Sequence, residues 1–399
     1  MQLRRNAVLV GLVVFLGWAC ITTPPPNDTG DAGSVTLIND ASVSVGDAAT
    51  SQPDSGVIAP DASMQFDASM VGMDAASTLD SAVAVDAAVP PDAAVAPDAG
   101  GNVDRIPVFL AMGYGTRRVV SCDLGLTWVN DEVDSANGGD DGFLVRGLTY
   151  GDGKFVAAVG GGGVQKLFVS DDGVTWTRQQ FNGHGYSDVA YGLGRFVAGG
   201  GHVSVLSFDG HSWEQPGEMG SGGILRVMTF GDYGGGRFVA AGDQGRRMNS
   251  VDGVHWASEI SSGGGFQSIA AGNGLFIALR GDGSFAVSTN GGDSWTERTI
   301  PGTTQTRGVL FDGIRFIVTT SGDAFTSTDG LMWQAHSASA GPDSMAVNPE
   351  RTHYAGAGGG TLYHSTNGTN WTVAPSSGAN TESLTGVSFG MVQRSTVCP

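Results

Sequence analysis

The sequence predicts an all-β chain whose folded part is a ring of seven four-stranded repeats. Three observations predict it. A phrase of the form Ser-x-(Asp/Asn)-(x)-Gly-x-x-Trp occurs seven times, with its tryptophans 37–48 residues apart. A fixed period of that size marks a repeat architecture. Each interval holds four short stretches in one order, here called A to D, joined by Gly-rich connections. Their length and composition suit the antiparallel blades of a β-propeller. Finally, the chain opens on B, C and D without an A, and closes on an A after the last D. Joining the two ends completes a seventh blade. One closed domain is therefore expected over 105–399, without a separate second domain.

Residues 1–20, MQLRRNAVLVGLVVFLGWAC, come first. Arg4 and Arg5 form a positive start, and 7–17 is a short apolar run. That is the pattern of a bacterial export signal, short for a membrane span. It ends at Cys20, before a polar, Pro-rich stretch. In this it resembles a lipoprotein signal, in which the cysteine becomes the lipidated N-terminus; ordinary cleavage is the alternative. The resemblance implies a bacterial cell-envelope protein, lipid-anchored at the outer membrane or cell surface.

Residues 21–104 carry 13 Asp and no Glu, Lys or Arg, and supply most of the net charge of −19. Phe66 is the one aromatic. Such a segment cannot bury enough apolar surface to offset the entropy of ordering. Like charge and Pro keep it extended, so a disordered stalk reaching roughly 50 Å is expected. Weak calcium binding along its regular Asp row is the sharper alternative, but the row lacks converging oxygen ligands. No basic patch of the kind that nucleic acid demands is present anywhere.

From Arg105 onward the texture changes to strands. Stretch A reads RGLTYG at 146–151, SDVAYG at 187–192, RVMTFG at 226–231 and QSIAAG at 267–272. It continues as RGVLFD at 307–312, DSMAVN at 343–348 and TGVSFG at 385–390. Stretch B follows each A, C runs into the repeated phrase, and D is expected to start at the Trp. Within the phrase, Asp123, Asp172, Asp209, Asp252 and Asp329 sit one or two places before a Gly, with Asn290 and Asn367 at the same place. Asp and Asn side chains bond local amides and Gly accepts positive φ, so each phrase predicts a hairpin turn. Trp128, Trp176, Trp213, Trp256, Trp295, Trp333 and Trp371 supply large apolar bodies for a core. These acids are read as structural, not catalytic or metal-binding.

The phrase resembles the Asp-box, or bacterial neuraminidase repeat, of sialidases, sortilin-type receptors and photosystem II assembly-factor propellers. SCDLGLTW at 121–128 and STNGGDSW at 288–295 carry its full-length form, and the other five copies are one residue shorter. The resemblance implies a seven-bladed propeller. It implies no single activity, because function resides in sites carried by a fold.

Two cysteines remain. Cys122 lies in the first phrase and Cys398 beyond the last A, so both belong to the composite blade. An exported protein permits a disulfide between them. Two separate thiols are the alternative, since strand B should lie between A and C.

For chemistry, Arg105-Ile106-Pro107 resembles the segment of sialidases whose Arg grips a substrate carboxylate with two further Arg. The rest of that pattern is missing: only 16 positions separate Arg105 from Ser121, and no Tyr–Glu pair can be placed. Arg146, Arg226 and Arg307 open stretch A in alternate blades and could converge at one mouth of the channel, forking onto a carboxylate or phosphate; pairing with nearby acids is the alternative. The acidic run from Asn130 to Asp141 lacks the ordered ligand spacing of a calcium loop. The seven His show no zinc-like spacing, and no nucleophile elbow is present. The expectation is a monomeric, membrane-anchored binding or assembly-scaffold propeller without cofactor or metal. It would recognise protein or carbohydrate through blade loops and the channel mouth, with a sialidase-like glycoside hydrolase as the rival.

Overall fold

Short stretches rich in Val, Phe and Ala, separated by glycines that accept positive φ, ladder with their neighbours in sequence in six blades, and in the seventh with the opposite end of the domain. The computed structural model describes residues 105–133, 144–161, 164–182, 185–395, 397 and 398. The expected signal at 1–20 with Cys20, the expected stalk at 21–104, and residues 134–143 lie outside the described residues.

Strands pair into seven four-stranded antiparallel sheets. In blade 1, strands A to D are Leu144–Gly151, Lys154–Gly161, Val164–Ser170 and Thr177–Asn182. Blade 2 comprises Tyr186–Gly192, Arg195–Gly200, Val203–Ser207 and Glu214–Glu218. Blade 3 comprises Leu225–Gly231, Arg237–Gly242, Arg246–Ser250 and Trp256–Ser261. Blade 4 is built from Ser268–Gly272, Leu275–Leu279, Ser284–Ser288 and Thr296–Thr299. Blade 5 has Thr306–Phe311, Phe316–Thr320, Asp323–Ser327 and Gln334–Ser337. Blade 6 has Ser344–Val347, Tyr354–Gly358, Thr361–Ser365 and Thr372–Val373. Blade 7 takes its strand A, Leu384–Gln393, from the C-terminal end. Its strands B to D, Arg105–Gly113, Arg118–Ser121 and Val129–Glu132, come from the N-terminal side. The joint is in register from Arg105 against Gln393 to Met112 against Gly386. The protein is thus a seven-bladed β-propeller closed by both ends of the domain.

Strand B is buried on both faces, as Phe155, Val156, Ala157, Ala158 and Val159 illustrate. The reason is that each blade is covered by a neighbour on either side. Seven apolar clusters fill the seven interfaces between successive blades, and each takes in one of the seven repeated tryptophans. Trp176 of blade 1 packs on the cluster containing Val108 and Val120 of blade 7. Trp128 of blade 7 reaches Ala355 and Leu362 of blade 6 and is almost fully buried. Strand D starts later than expected. Only Trp256 lies within it, and in the other blades D begins after the Trp. In every copy the amide just before the Trp is bonded to the turn's Asp or Asn, so ladder pairing begins no earlier than the Trp itself.

All seven turns share one device. The Ser hydroxyl donates to Oδ1 of the Asp or Asn, at 2.8–3.1 Å. That Oδ1 in turn accepts backbone amides further along, such as those of His211 and Ser212 at Asp209. The glycine has positive φ in every copy, 73° at Gly210 for example. The carboxyl of Asp209 is held down at about 2, chiefly by the Ser212 amide.

In blade 7, Cys122 and Cys398 are disulfide-bonded, with Cα atoms 5.5 Å apart. Strand B does separate A from C, as expected. The cysteines meet beyond the strand ends: the Ser395 N–H donates to the Cys398 carbonyl at 3.1 Å, folding the tail back toward Cys122.

Two outcomes are expected. The bridge links residues 276 apart, so Cys122→Ser with Cys398→Ser should lower unfolding free energy by about 2–4 kcal/mol in denaturant titration, without loss of the fold. Asp209 contributes stability that is complete above its unfolded pKa of about 3.9 and is lost as pH falls through about 2. Asp209→Asn keeps the Oδ1 acceptor, as Asn290 and Asn367 do. Acid unfolding followed by circular dichroism should therefore be less steep in that variant below about pH 4; identical acid profiles would count against the assignment.

Candidate functional site

The seven A strands line the central channel. A cavity of about 430 Å³ occupies it, walled from Arg146 and Asp343 past Asp188, Ser268 and Ser344 to Tyr191, Phe230 and Phe311. Its chemistry follows from position along strand A. The first place of the repeat is polar in every blade: Arg146, Ser187, Arg226, Gln267, Arg307, Asp343 and Thr385. The fifth place is aromatic in five: Tyr150, Tyr191, Phe230, Phe311 and Phe389.

The polar mouth is built with β-bulges. Arg146, Ser187, Arg226 and Thr385 are each the extra residue between two ladder partners, and Arg307 with Gly308 opposes a single residue. A bulge re-aims the side chain it carries. Two of the arginines are neutralised. Arg226 forks onto Asp243, Nε to Oδ1 at 2.5 Å and Nη2 to Oδ2 at 2.9 Å, and Arg307 Nη1 reaches Asp343 Oδ1 at 2.8 Å. Arg146 has no hydrogen bond or ion pair among the described residues. Burial lowers its pKa, and the charge of Arg226 lowers it further.

Asp188 lies one place deeper. Its Oδ1 accepts the Val189 N–H at 2.8 Å and its Oδ2 the Met228 N–H of blade 3 at 2.6 Å. The carboxylate rests on Gly147 of blade 1, where a Cβ would collide with Oδ1. Burial pushes its pKa up to about 7, against the opposing pull of those two amides. At the same place Ser268 Oγ accepts the Val309 N–H and Ser344 Oγ the Val387 N–H, at 3.1 and 3.0 Å.

At the other end, the aromatic belt explains the glycine that follows it in most blades. Tyr191 lies over Gly151, Phe230 over Gly192, Phe311 over Gly272 and Tyr150 over Gly390; a Cβ at any of these would run into the ring.

Arg105 stands apart from the other three arginines. Its guanidinium lies against Gly153, in the A–B turn of blade 1, and Nη1 reaches the Met391 carbonyl at 3.5 Å. That is the belt end of the strands, opposite to the end where Arg146, Arg226 and Arg307 begin. The seven turn acids and amides serve their own turns, on the belt side of each blade, and share no common focus.

Sequence reasoning missed a second arginine set. Arg117, Arg246 and Arg280 sit at B–C turns, almost fully buried. Each pairs with an acid on its own strand D: Arg117 with Asp131 at 2.8 Å, Arg246 with Glu259 at 2.7 Å and Arg280 with Glu297 at 2.6 Å. Each also donates to a carbonyl in the connection entering its blade: Glu382, Gly223 and Gly264. These forks hold the inter-blade connections. The signal was present as an Arg followed 13–17 residues later by an acid. The run beginning at Asn130 is accordingly strand as far as Glu132, with Asp131 taken by Arg117 and Glu132 by Arg118. Among the described residues no group of three or more His, Cys, Asp or Glu is placed to hold a metal ion, and no helix is long and apolar enough to cross a membrane.

No protein-family model matches the chain, and no curated protein does. Among solved structures it is similar to YCF48 bound to D1 peptide, with 18% identity and a TM-score of 0.45, covering 57% of this chain and 80% of that one. A second similar structure is YCF48 from Cyanidioschyzon merolae, at 17% identity and 0.43, covering 58% and 84%. A third is apo AztD from Citrobacter koseri, at 12% and 0.43, covering 67% and 81%. At these identities no residue role passes from them to this chain.

The belt geometry is testable. Gly192→Ala should cost about 1–3 kcal/mol in urea denaturation, because its Cβ would run into the root of the Phe230 ring and force it to shift. Gly322→Ala, with nothing within 4 Å of its Cβ position, should change stability by less than about 0.5 kcal/mol.

Proposed function

We propose that this chain is an exported, membrane-anchored binding or scaffold propeller, recognising a protein or carbohydrate ligand at the polar mouth of its channel. The observation that carries the reading is Arg146. It is turned by a bulge onto a cavity of about 430 Å³, and it lacks the acid that neutralises Arg226 and Arg307. Cavities of a few hundred Å³ with a few convergent polar groups are the usual form of a ligand site. Hydrolysis in the sialidase manner has less support. Both oxygens of Asp188 already accept backbone amides, Asp343 is paired with Arg307, and Arg105 lies toward the belt end. Glycosidases need two carboxyl groups facing one bond. The export signal and lipid on Cys20 remain part of the proposal on sequence grounds alone.

The test is binding of the full-length protein to glycan and peptide arrays. Arg146→Glu should reduce the signal at least about tenfold, as expected for loss of a charge-assisted contact, and Arg105→Glu should leave it unchanged. Equal loss in both variants would remove the mouth as the site. Turnover of a fluorogenic sialoside that disappears with Arg105→Ala would replace the reading with the hydrolase.

A further inference from the structure

Asp188 exceeds what the fold asks of its position. The structural task there is to accept one backbone N–H from the next blade's inner strand. Ser268 and Ser344 perform it with a neutral hydroxyl, for Val309 and Val387. Asp188 performs it for Met228 with a carboxylate. Gly147, Gly308 and Gly386 occupy the same place in three further blades, and Val227 in the last. Placing a carboxylate in the channel wall carries a desolvation cost that a hydroxyl avoids. No cation offsets it: Asp188 makes its two backbone bonds and no ion pair among the described residues.

A counter-charge is close in the fold but not engaged. Asp188 lies against Gly147, the residue that follows Arg146 on the neighbouring inner strand. Arg146 and Asp188 line the same cavity. Neither pairs with the other, and Arg146 has no other partner among the described residues. The remaining charges at the mouth are matched internally, Arg226 with Asp243 and Arg307 with Asp343. One unmatched cation and one unmatched carboxylate therefore remain, on adjacent strands of one cavity. Unmatched opposite charges in a partly desolvated site are complementary to a ligand that carries both signs.

We propose that the channel cavity binds a compact zwitterion, with Arg146 receiving its anionic group and Asp188 its ammonium group. The inference rests on the channel mouth being a binding site and names the chemistry that enters it. A carboxylate or phosphate meets the Arg146 guanidinium in a fork. The ammonium meets Asp188, whose amide bonds leave lone pairs on both oxygens. The apolar wall beside Asp188, with Leu148, Val189 and Met228, accepts the ligand's carbon skeleton. Two sources share this chemistry, free amino acids and betaines on one side and phosphoammonium groups on the other.

Burial of Asp188 sets the pH dependence. The flanking strands A carry Arg146 in blade 1 and Arg226 in blade 3, neither of them paired with Asp188, and strand B of its own blade presents Gly199 opposite it. Ionised Asp188 is the binding form. With its pKa raised to about 7, affinity should fall roughly tenfold from pH 7.5 to pH 6.

Isothermal titration of the full-length protein with glycine, glycine betaine, γ-aminobutyrate and phosphocholine tests the proposal, alongside N-acetylglycine, glycinamide and a neutral monosaccharide. Saturable binding of at least one zwitterion at millimolar concentration or below is expected. N-acetylglycine and glycinamide, each missing one charge, should bind at least about tenfold more weakly than glycine-type ligands. Preference for the carboxylate or the phosphate arm identifies the source. Asp188→Ser retains the acceptor for the Met228 N–H, so it should fold, and should weaken binding at least about tenfold, as should Arg146→Gln. Should Asp188→Ser unfold, Arg146→Gln, at an exposed bulge, decides alone. Absence of binding by every zwitterion overturns the proposal, as does binding that either variant leaves intact or that the singly charged analogues match. A signal from the monosaccharide alone overturns it too, while leaving the mouth as a binding site. Array binding lost in Arg146→Glu, without zwitterion binding, separates the two ideas in the same way.

Discussion

Everything in this molecule depends on the pairing of Arg105–Gly113 with Leu384–Gln393. A propeller blade has two apolar faces, and each is covered only by a neighbouring blade. A ring with a gap would leave two faces exposed, here the clusters around Val108 and Phe155 on one side of blade 7 and around Phe109 and Ala355 on the other. The joint brings together strands from opposite ends of the domain, so its loop-closure entropy is large. Long ladder register and the Cys122–Cys398 bridge both lie at this one place. The channel itself exists only because the ring closes.

Within the ring, local chemistry is repeated with little variation. One oxygen of an Asp or Asn side chain collects a Ser hydroxyl and backbone amides, and a glycine takes the positive φ that the reversal requires. Asn serves as well as Asp because the oxygen, not the charge, does the bonding. The tryptophan that follows leaves the turn and enters the interface with the preceding blade. Turn and interface are thus coupled: the device that reverses the chain also aims the largest apolar side chain at the neighbour.

The channel combines this regularity with asymmetry. Its belt end repeats one device, a ring lying over the neighbouring blade's glycine at Gly151, Gly192, Gly272 and Gly390. Its mouth carries Arg in three blades and Ser, Gln, Asp or Thr in the others, and five bulges turn its first residues away from the ladder. Symmetric scaffolding with one-sided substitution is how a repeat protein acquires a site: the repeats supply the backbone, and single positions such as Arg146 and Asp188 break the pattern. The buried forks of Arg117, Arg246 and Arg280 keep the connections around the mouth in place.

The blade count, the composite seventh blade and the turn chemistry were legible in the sequence, because each is local or periodic: a Ser, an Asp and a Gly within five residues define a turn wherever it lies, and counting stretches reveals which end lacks one. The start of strand D was misjudged by a residue, since the turn's claim on its amides is invisible in a residue pattern. Four arginines looked alike as candidates. The tertiary structure separates them, sending Arg105 to the belt end and leaving Arg146 unpaired while Arg226 and Arg307 find Asp243 and Asp343. Those partners lie 17 and 36 residues away, and which acid meets which arginine is set by bulges and by the stagger between blades. Asp188 reads in sequence as one more polar residue in a strand. It becomes a charge in a channel only when seven inner strands, drawn from the whole length of the domain, are set around one axis.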